Sequence, residues 1–486
     1  MGKRLTSGYT LVIHEVTQSS VKLWLGALAP SLAKPHNWRL VIKKSDSAKM
    51  RANEDGVIIQ TLDRGNIWQR PFDKLNKRFY NIELVTDLEP DTYYIAEFHS
   101  RTNQQWKLLE KAFFTTLPNR LPGTTKKPFT VGIGSCFYTE HDGGSAGQAF
   151  EALYKHEALR PDLKFLAGDQ VYLDIGLGWY PLDAEDCQDR VADGYVDSWK
   201  YLRSILRRGG TWFLPDDHEF WNDYPYLEGF NPYLLTLKLS DDFRERWKDA
   251  TKQAVKIIQQ VEPLRFFSIG DDLSFCIADL RSERSNQGFH SAQSQQQLLA
   301  WITNLQSPGV LVIPQPLISA SGGSEDKNLP DWEQYNEIIL AIQNGNHDIV
   351  VLTGDVHYGR VSQVVVGNSS NKLTEIITSP ISNLSEMAGI ATSTPKLPNR
   401  RFPFISINGV EKNKVTYLGK VTTEGKWWDI RYPVKRTHEH FMTVEFYKDK
   451  KQTKMKVHAW HAREMIKSTG LPKKIKGFNI KPITLV

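Results

Sequence analysis

The stretch Phe165–Asp174 carries residues whose types and spacing suit chemistry. Its sequence is FLAGDQVYLD, in which an apolar run predicts a short buried strand and Gly168 ends that strand. Asp169 and Tyr172 then project from the following loop. Carboxylate and phenolate groups are hard anionic donors, and a loop on a rigid strand holds them at a fixed spacing. The stretch therefore indicates a metal-binding loop at the end of a strand, although an Asp after a Gly is also a common turn residue.

Four other predicted strands end in loops of similar chemical character. These loops are GSCFY with Cys136, PDDHEFWNDY with Asp216, Asp217 and His218, DLRSERS with Arg281, and GDVHYG with Asp355 and His357. In open α/β sheets ligands bind outside the carboxyl ends of the strands, so loops distant in sequence meet at one crevice. Each residue also has a structural interpretation, as a small buried residue, a helix N-cap, a core histidine or an ion-pair partner. Their joint occurrence at strand ends favours a shared site.

The donor types in these loops suit a cluster of two or three cations. Cations held about 3.5–4 Å apart share a bridging carboxylate and make hydroxide available at neutral pH. Asp169 is predicted to be the bridge. The other predicted ligands are Cys136, Tyr172, Asp217, Asp355 and His357. A site with thiolate and phenolate favours iron before zinc, whereas the surplus carboxylates suit calcium, magnesium or manganese.

Two further residues of these loops are predicted to act on a substrate. His218 stands beside Asp217 and can donate to a phosphoryl oxygen or to the leaving group. Arg281 can clamp a phosphate by a bidentate contact. The predicted reaction is in-line attack of a metal-bound hydroxide on phosphorus, with no covalent protein intermediate and a small phosphate ester as the substrate.

Upstream of these loops the sequence predicts a small β-sandwich. Leu11–Leu25 alternates as a strand does, and five short strand-like segments follow, separated by polar or Gly/Pro turns. They are Trp38–Ile42, Val57–Leu62, Phe79–Leu84, Tyr93–Phe98 and Lys111–Thr115. Residues 1–118 are therefore predicted to form an all-β domain without a catalytic set. Residues 119–127 are predicted to be a linker and residues 128–486 the catalytic domain.

After the linker, predicted strands alternate with predicted helices, which indicates a layered α/β domain. The strands are Phe129–Ile133, Phe165–Ala167, Thr211–Leu214, Leu273–Leu280, Val310–Ile313 and Ile349–Thr353, and the helices are Ser145–Leu159, Val196–Arg208, Leu239–Val261, Ser291–Leu305 and Trp332–Gln343. Late strands at Val361–Val366, Leu373–Ile377, Phe441–Phe446 and Met455–Trp460 predict a second sheet.

Composition narrows the class of protein. A chain of 486 residues holds two to three domains' worth of core, and a net charge of +6 is small for this length. No nucleic-acid or membrane partner is therefore indicated. Three cysteines without a C-x-x-C argue against a disulfide framework, and no secretory signal is visible, so a cytoplasmic location is expected unless a signal has been removed. The oligomeric state is not readable from the sequence.

Five motifs carry a resemblance to a known family. GSCFY, GDQVYLD, PDDHEFWNDY, DLRS and GDVH, in this order behind a β-sandwich, resemble the PhoD-like alkaline phosphatases, a branch of the calcineurin-like metallophosphoesterases. The resemblance spans nearly the whole chain. It implies an α-β-β-α metallophosphoesterase sandwich, and a phosphomonoesterase or phosphodiesterase with an Fe³⁺ and Ca²⁺ site. The implied ligands are Cys136, Asp169, Tyr172, Asp217, Asp355 and His357. Separately, LVTDLEPDTYYIAEF at Leu84–Phe98 resembles the fibronectin type III signature.

The resemblance also implies roles within the PDDHEFWNDY loop. Aligning DDHE with the superfamily's GNH motif makes Asp217 a ligand and His218 a substrate-binding residue, with Asp216 as the alternative ligand. Asn222 is a third candidate for substrate binding, beside His218 and Arg281. The family commonly has Asn-Asn where this chain has Asn222-Asp223, and secreted members carry an export signal that is not visible in this sequence.

Two other motifs match known site motifs less well, and two alternative functions remain open. GGSAG around Ser145 matches the nucleophile elbow of α/β-hydrolases and would make the protein a serine esterase, but no strand runs into it and Ser145 reads better as a helix N-cap. GNHD at 345–348 matches a metallophosphoesterase motif but precedes its strand, so Gly345 is predicted to be a helix C-cap.

A non-catalytic binding protein with structural metals is the remaining alternative. Crevice walls are predicted to include Trp179, Tyr180, Trp427 and Trp428.

Overall fold

The N-terminal part of the chain folds into two facing antiparallel sheets. The computed structural model describes residues 8–45, 56–124, 126–139, 142–178, 180–227, 232–322, 327–382, 401–422 and 438–486. The first seven strands are β1 (Thr10–Val16), β2 (Val21–Ala27), β3 (Trp38–Lys44), β4 (Val57–Arg64), β5 (Phe79–Val85), β6 (Tyr93–Thr102) and β7 (Gln105–Thr115). The sheets have the orders β1-β2-β5 and β4-β3-β6-β7. Leu23 and Trp38, from opposite sheets, are fully buried in one core. This is the predicted fibronectin III-like sandwich.

The rest of the described chain contains six helices and two seven-stranded sheets. The helices are α1 (Ser145–Tyr154), α2 (Ala184–Leu206), α3 (Leu235–Leu239), α4 (Asp241–Ile257), α5 (Ala292–Thr303) and α6 (Glu333–Asn344). One sheet contains β8 (Phe129–Gly134), β9 (Leu163–Ala167), β10 (Gly210–Leu214), β20 (His440–Asp449), β21 (Gln452–Met465), β22 (Pro472–Lys474) and β23 (Ile483–Leu485). The other contains β11 (Leu264–Ile269), β12 (Leu273–Ala278), β13 (Gly309–Val312), β14 (Ile349–Thr353), β15 (Gly359–Val365), β16 (Lys372–Ile377) and β19 (Thr416–Val421). A short pair, β17 (Arg401–Phe402) and β18 (Asn413–Lys414), stands apart.

Alternating side chains place these sheets in an α-β-β-α sandwich. Val131 and Phe165 of the first sheet share a core with Phe275 and Val350 of the second, so the two sheets pack face to face. The other face of the first sheet packs on α1, α2 and α4, and the other face of the second packs on α5 and α6. The layered α/β prediction is therefore confirmed, including the second sheet.

The two parts of the chain are in direct contact. Trp24 of β2 is fully buried, and its ring lies 5.5 Å from that of Trp199 in α2. Phe113 of β7 donates its N–H to the carbonyl of Arg207 (2.8 Å) and accepts the N–H of Gly209 (2.7 Å). The predicted linker is also packed, since Leu121 donates its N–H to Asp272 Oδ2 (2.9 Å). The sandwich therefore packs against the α/β part of the chain.

The helix boundaries differ from the predictions where a capping group decides them. α1 begins at Ser145, but its N-cap is Gly144, and the Asp142 carboxylate accepts the N–H of Ala146 (3.1 Å), so Ser145 is not the cap. α2 begins twelve residues before the predicted Val196, because the side chain of Asp183 caps it at Asp186 N (2.8 Å). Gly345 is the C-cap of α6, as predicted.

Candidate metal centre

Five loops meet at one edge between the two sheets. They follow β8, β9 and β10 of the first sheet and β12 and β14 of the second. β8, β9 and β10 are parallel neighbours, as are β12, β13 and β14, so the carboxyl ends of each set share one edge. The N–H of Cys136 donates to the carbonyl of Gly168 (3.1 Å), which joins two of the loops directly.

The loops bring metal-binding side chains into one cluster. Three sets have ligand atoms within 4.8 Å of one another: Cys136, Asp169 and His357; Asp169, Asp217 and His218; and Asp169, Asp216, Asp217 and Asp355. Asp169 belongs to all three sets, which is the position that a bridging carboxylate requires. The predicted donors of four loops are therefore adjacent, and Arg281 of the fifth loop binds Asp216.

The backbone at the cluster is held in an uncommon conformation. Left-handed φ angles occur at Cys136 (57°), Asp169 (56°), Asp355 (67°) and His357 (52°). Each costs a non-glycine residue about 1–3 kcal/mol, and such residues concentrate at functional sites. Gly168 (φ 97°) has no alternative, because a Cβ there would lie 2.6 Å from the Cβ of Asp216. The surrounding structure holds these residues in the strained conformation, and their side chains lie in one cluster as a result.

The electrostatics of the cluster fit a bound cation. Burial, reinforced by Asp217, Asp216 and Glu219, raises the pKa of Asp169 well above its usual range, although His218 opposes this. Asp216 is fully buried, and its Oδ2 has no hydrogen-bond partner among the described residues. Crowded carboxylates and an unpartnered buried oxygen are costly unless positive charge lies between them. The donor set of oxygens, sulfur and imidazole suits such charge.

Ser379, which the sequence analysis did not single out, positions the thiol of Cys136. Its Oγ donates to Cys136 Sγ (3.1 Å) and accepts the N–H of His357 (3.1 Å). Cys136 Sγ in turn lies 3.3 Å from Asp169 Oδ2. Ser379 follows β16, which carries no charged motif at its end, so no pattern in the sequence marked it.

His218 is oriented by a second residue that was not singled out, Asp174. The Nδ1–H of His218 donates to Asp174 Oδ1 (2.9 Å), and Asn222 donates its N–H to Asp174 Oδ2 (3.1 Å). Burial lowers the pKa of His218, but Asp174, Asp217 and Asp169 outweigh it, so the pKa lies well above its usual value. The sequence could have identified Asp174, because this residue ends the GDQVYLD motif.

Tyr172 lies beside His218 at the edge of the cluster. Their ring centroids are 4.2 Å apart, and Tyr138 packs edge-on against the other side (5.4 Å). Burial, followed by the charges of Cys136 and Asp169, raises the pKa of the Tyr172 phenol well above its usual range. The Tyr172 ring therefore lies on the His218 side of the cluster.

Arg281, which was predicted to clamp a phosphate, forms an ion pair with a neighbouring carboxylate. Its Nε donates to Asp216 Oδ1 (2.5 Å) and its Nη1 to the carbonyl of Tyr224 (2.9 Å). Its Nη2 lies 3.9 Å from Asp217 Oδ1. The guanidinium therefore neutralises Asp216 first, which distinguishes the two aspartates. Asp217 accepts the N–H of Asp223 (2.7 Å).

A cleft of about 590 Å³ opens above the cluster. Its floor contains Asp169, Asp217, His218, Asn222, Asp223, Arg281, Asp355 and His357. Its walls include Ile318, Ser319, Tyr358 and Phe404. Tyr180, a predicted wall residue, is 83% exposed and does not line the cleft. Trp179, Trp427 and Trp428 lie outside the described residues.

The two competing motifs lie elsewhere. Asp348 of GNHD precedes β14, where its carboxylate accepts the N–H groups of Lys372 (2.8 Å) and Val486 (3.1 Å), so it occupies the end of the sheet opposite Asp355. Ser145 begins α1, and no hydrogen bond joins its hydroxyl to a histidine within the described ranges. Neither supplies a site.

Comparison with solved structures identifies the fold. The structure of PhoD superposes with a TM-score of 0.58 at 16% sequence identity, covering 97% of this chain and 92% of that chain. Purple acid phosphatase PPD1 from yellow lupin (Lupinus luteus) seeds superposes with a TM-score of 0.54 at 10% identity, covering 96% of this chain and 74% of that chain. The resemblance drawn from the five motifs is thus confirmed at the level of fold.

Sequence comparison adds no family assignment. No protein-family model matches the chain, and no curated protein matches it. A search of the described helices for a membrane span finds none that is long and apolar enough.

Proposed function

We propose that this protein is a metal-dependent phosphoric ester hydrolase. The observation that carries the proposal is the cluster of donors around Asp169 at the floor of the cleft. The set of converging ligands exceeds the four that a structural metal site needs. The folds of PhoD and purple acid phosphatase support the same assignment. A serine esterase and a non-catalytic binder are less well supported, because Ser145 has no bonded histidine in the described chain and the donors line an open cleft.

Two sets of residues would hold the cations. Cys136, Asp169 and His357, whose ligand atoms lie within 4.8 Å of one another, would supply thiolate, carboxylate and imidazole to Fe³⁺. Tyr172, which lies beside His218, would add the phenolate that the resemblance implies. Asp169, Asp217 and Asp355 would supply oxygens suited to Ca²⁺, with manganese, magnesium or zinc as alternatives. Cations bound there would acidify water and polarise a phosphoryl oxygen. We assign Asp216 to charge balance with Arg281, since the two form a buried pair (2.5 Å).

His218 is assigned to the substrate. It lines the cleft beside Asp217, and Asp174 holds its Nδ1–H, so the Nε2 atom is the one left to face a phosphoryl or leaving-group oxygen. Burial lowers the pKa of His218, but the carboxylates around it, Asp174 foremost, raise the pKa overall, which favours the protonated ring that can donate. Asn222 is held on the same carboxylate through its N–H, and its side chain lines the cleft beside His218.

The proposal is tested by hydrolysis of an aryl phosphate monoester and a bis-aryl diester with the purified protein. Turnover that is retained in Ser145→Ala and depends on cations supports the assignment. Turnover lost in Ser145→Ala but insensitive to cations would favour the serine esterase. A protein that binds cations and turns over neither ester would be the non-catalytic binder.

Replacing Asp174 with Asn is expected to lower kcat by about 100-fold with little change in KM. An amide at this position can present its NH₂ group to His218 Nδ1, which would move the ring proton to the other nitrogen. The measurement is the pH profile of kcat, in which the limb that reports His218 should shift. An unchanged profile with normal kcat would contradict the assignment of His218.

A further inference from the structure

Glu219 is a fully buried carboxylate behind the candidate metal centre that the proposed reaction does not use. It follows Asp217 and His218 in the DDHE motif and is 0% exposed. Burial raises the pKa of its carboxyl group to about 7, although four backbone N–H groups oppose this by hydrogen bonding. Burying a carboxyl group lowers the stability of the fold unless its oxygens are hydrogen-bonded.

The two oxygens of Glu219 collect N–H donors from two separate loops. Oε2 accepts from Asp169 N (2.9 Å) and from Asp216 N (2.8 Å). Oε1 accepts from Gln170 N (2.7 Å) and Val171 N (3.3 Å). One side chain therefore binds the backbone of the loop after β9 and the loop after β10 at the same time.

The same carboxylate is tied to the core behind it. Gln259, just beyond α4, donates its Nε2–H to Glu219 Oε1 (3.3 Å) and to Gln170 Oε1 (3.0 Å). Gln170 in turn donates to the carbonyl of Leu166 (3.0 Å), next to the end of β9, and to that of Leu214 (3.1 Å), the last residue of β10. These five N–H groups all donate to Glu219, so both of its oxygens are needed as acceptors.

We propose that Glu219 is a positioning residue that sets the distance between Asp169 and its neighbouring carboxylates Asp216 and Asp217. Asp169 holds a left-handed φ of 56°, a conformation that an aspartate leaves when nothing restrains it. The bonds from Asp169 N and Gln170 N to Glu219 supply that restraint. Because Asp169 is common to all three donor sets, a small displacement of its loop changes every set. This inference rests on the proposed function.

The test is Glu219→Gln in the full-length protein, with Mn²⁺ affinity measured by calorimetry on protein first stripped of metal. Gln has the same shape but carries two N–H donors on one end, so one pair of backbone donors loses its acceptor. Mn²⁺ affinity is expected to fall 10- to 100-fold. High Mn²⁺ is expected to restore much of the lost turnover, and thermal unfolding of the metal-free variant checks that it is folded before Mn²⁺ is added. Affinity equal to wild type would overturn the inference.

The matched control is Glu110→Gln. Glu110 is another buried carboxylate, which lies in β7 and accepts Lys111 N (3.0 Å) of the same strand and Arg203 Nε (2.6 Å) of α2. The melting temperature of this variant should fall while Mn²⁺ affinity stays within about twofold, since a distant stabilising contact does not set ligand spacing. Equal loss of affinity in both variants would overturn the positioning role.

Amide hydrogen exchange on the metal-free wild-type protein tests the same inference without a variant. The amides of Asp169, Gln170 and Asp216 should exchange as slowly as those of β9, because Glu219 protects them without a cation. Fast exchange there would overturn the inference even if Glu219→Gln failed to fold. If the wild type itself binds no cation and turns over no ester, the proposed function fails instead.

Discussion

Replacing Asp169 with Asn is expected to lower kcat/KM by on the order of 1,000-fold, equivalent to about 4 kcal/mol of transition-state stabilisation. The reason is that Asp169 alone belongs to every donor set, so the change weakens each cation position at once. Asn has nearly the same size as Asp and keeps one carbonyl oxygen. It removes the negative charge and replaces the second acceptor oxygen with an NH₂ group. The measurement is steady-state hydrolysis of an aryl phosphate, together with the metal content of the purified variant.

The same substitution is expected to leave the metal-free protein at least as stable as wild type. Asp169 is 1% exposed and surrounded by Asp216, Asp217 and Glu219, so removing its charge relieves repulsion. Loss of activity without loss of thermal stability therefore separates a ligand from a residue that merely supports the fold. A variant that unfolds would contradict this account of the cluster.

Asp348→Asn is the matched control for Asp169→Asn. Asp348 is also a buried aspartate that accepts backbone N–H groups at a strand end, but it lies at the opposite end of the sheet. Its kcat/KM should stay within about twofold of wild type, since it contacts none of the donors. A large loss of activity in Asp348→Asn, with normal activity in Asp169→Asn, would indicate that the GNHD motif belongs to the active site instead.

Removing the metals is expected to abolish turnover and to lower the melting temperature by several degrees. A cation present at 100 times its Kd stabilises the folded state by about 2.7 kcal/mol, and that contribution disappears with the cation. The buried carboxylates also repel one another once the cation has left. The measurements are activity and thermal unfolding before and after a strong iron chelator and EDTA, followed by elemental analysis of the untreated protein.

Asp169→Asn provides the control for this experiment as well. Chelators should leave its melting temperature unchanged, because the variant has little cation to lose. Iron together with calcium in the untreated wild type would support the assignment of the two donor sets. Hydrolysis that continues after complete metal removal would exclude the metal-dependent reaction, whereas a lower melting temperature without any turnover would favour the non-catalytic binder.

Many of the strands were predictable, because alternation of apolar residues follows directly from the geometry of a half-buried strand. Leu11–Leu25, however, was predicted as one strand and forms two, β1 and β2, and β11 and β19 were not predicted. Val21, Leu23 and Leu25 are all buried, as their spacing predicts. What alternation could not predict was the burial of Trp24 on the other face, since that depends on Trp199 in a helix far along the chain. Helix starts were missed where a single cap, such as Asp183, decides them.

The amino-acid sequence by itself determined which donor types follow which strands, and so indicated a metal site at the carboxyl ends of parallel strands, with Asp169, Asp217, Asp355 and His357 within it. The motifs are local, and their chemistry can be read without coordinates.

Only the tertiary structure decided how those donors are shared. Arg281 binds Asp216 and leaves Asp217 to the cleft, Asp174 orients His218, and Glu219 holds two loops together. Each of these assignments depends on distances of about 3 Å between residues up to 65 positions apart. Side-chain hydrogen bonds are short and directional, so a residue's partner is set by packing and leaves no periodic signal along the chain.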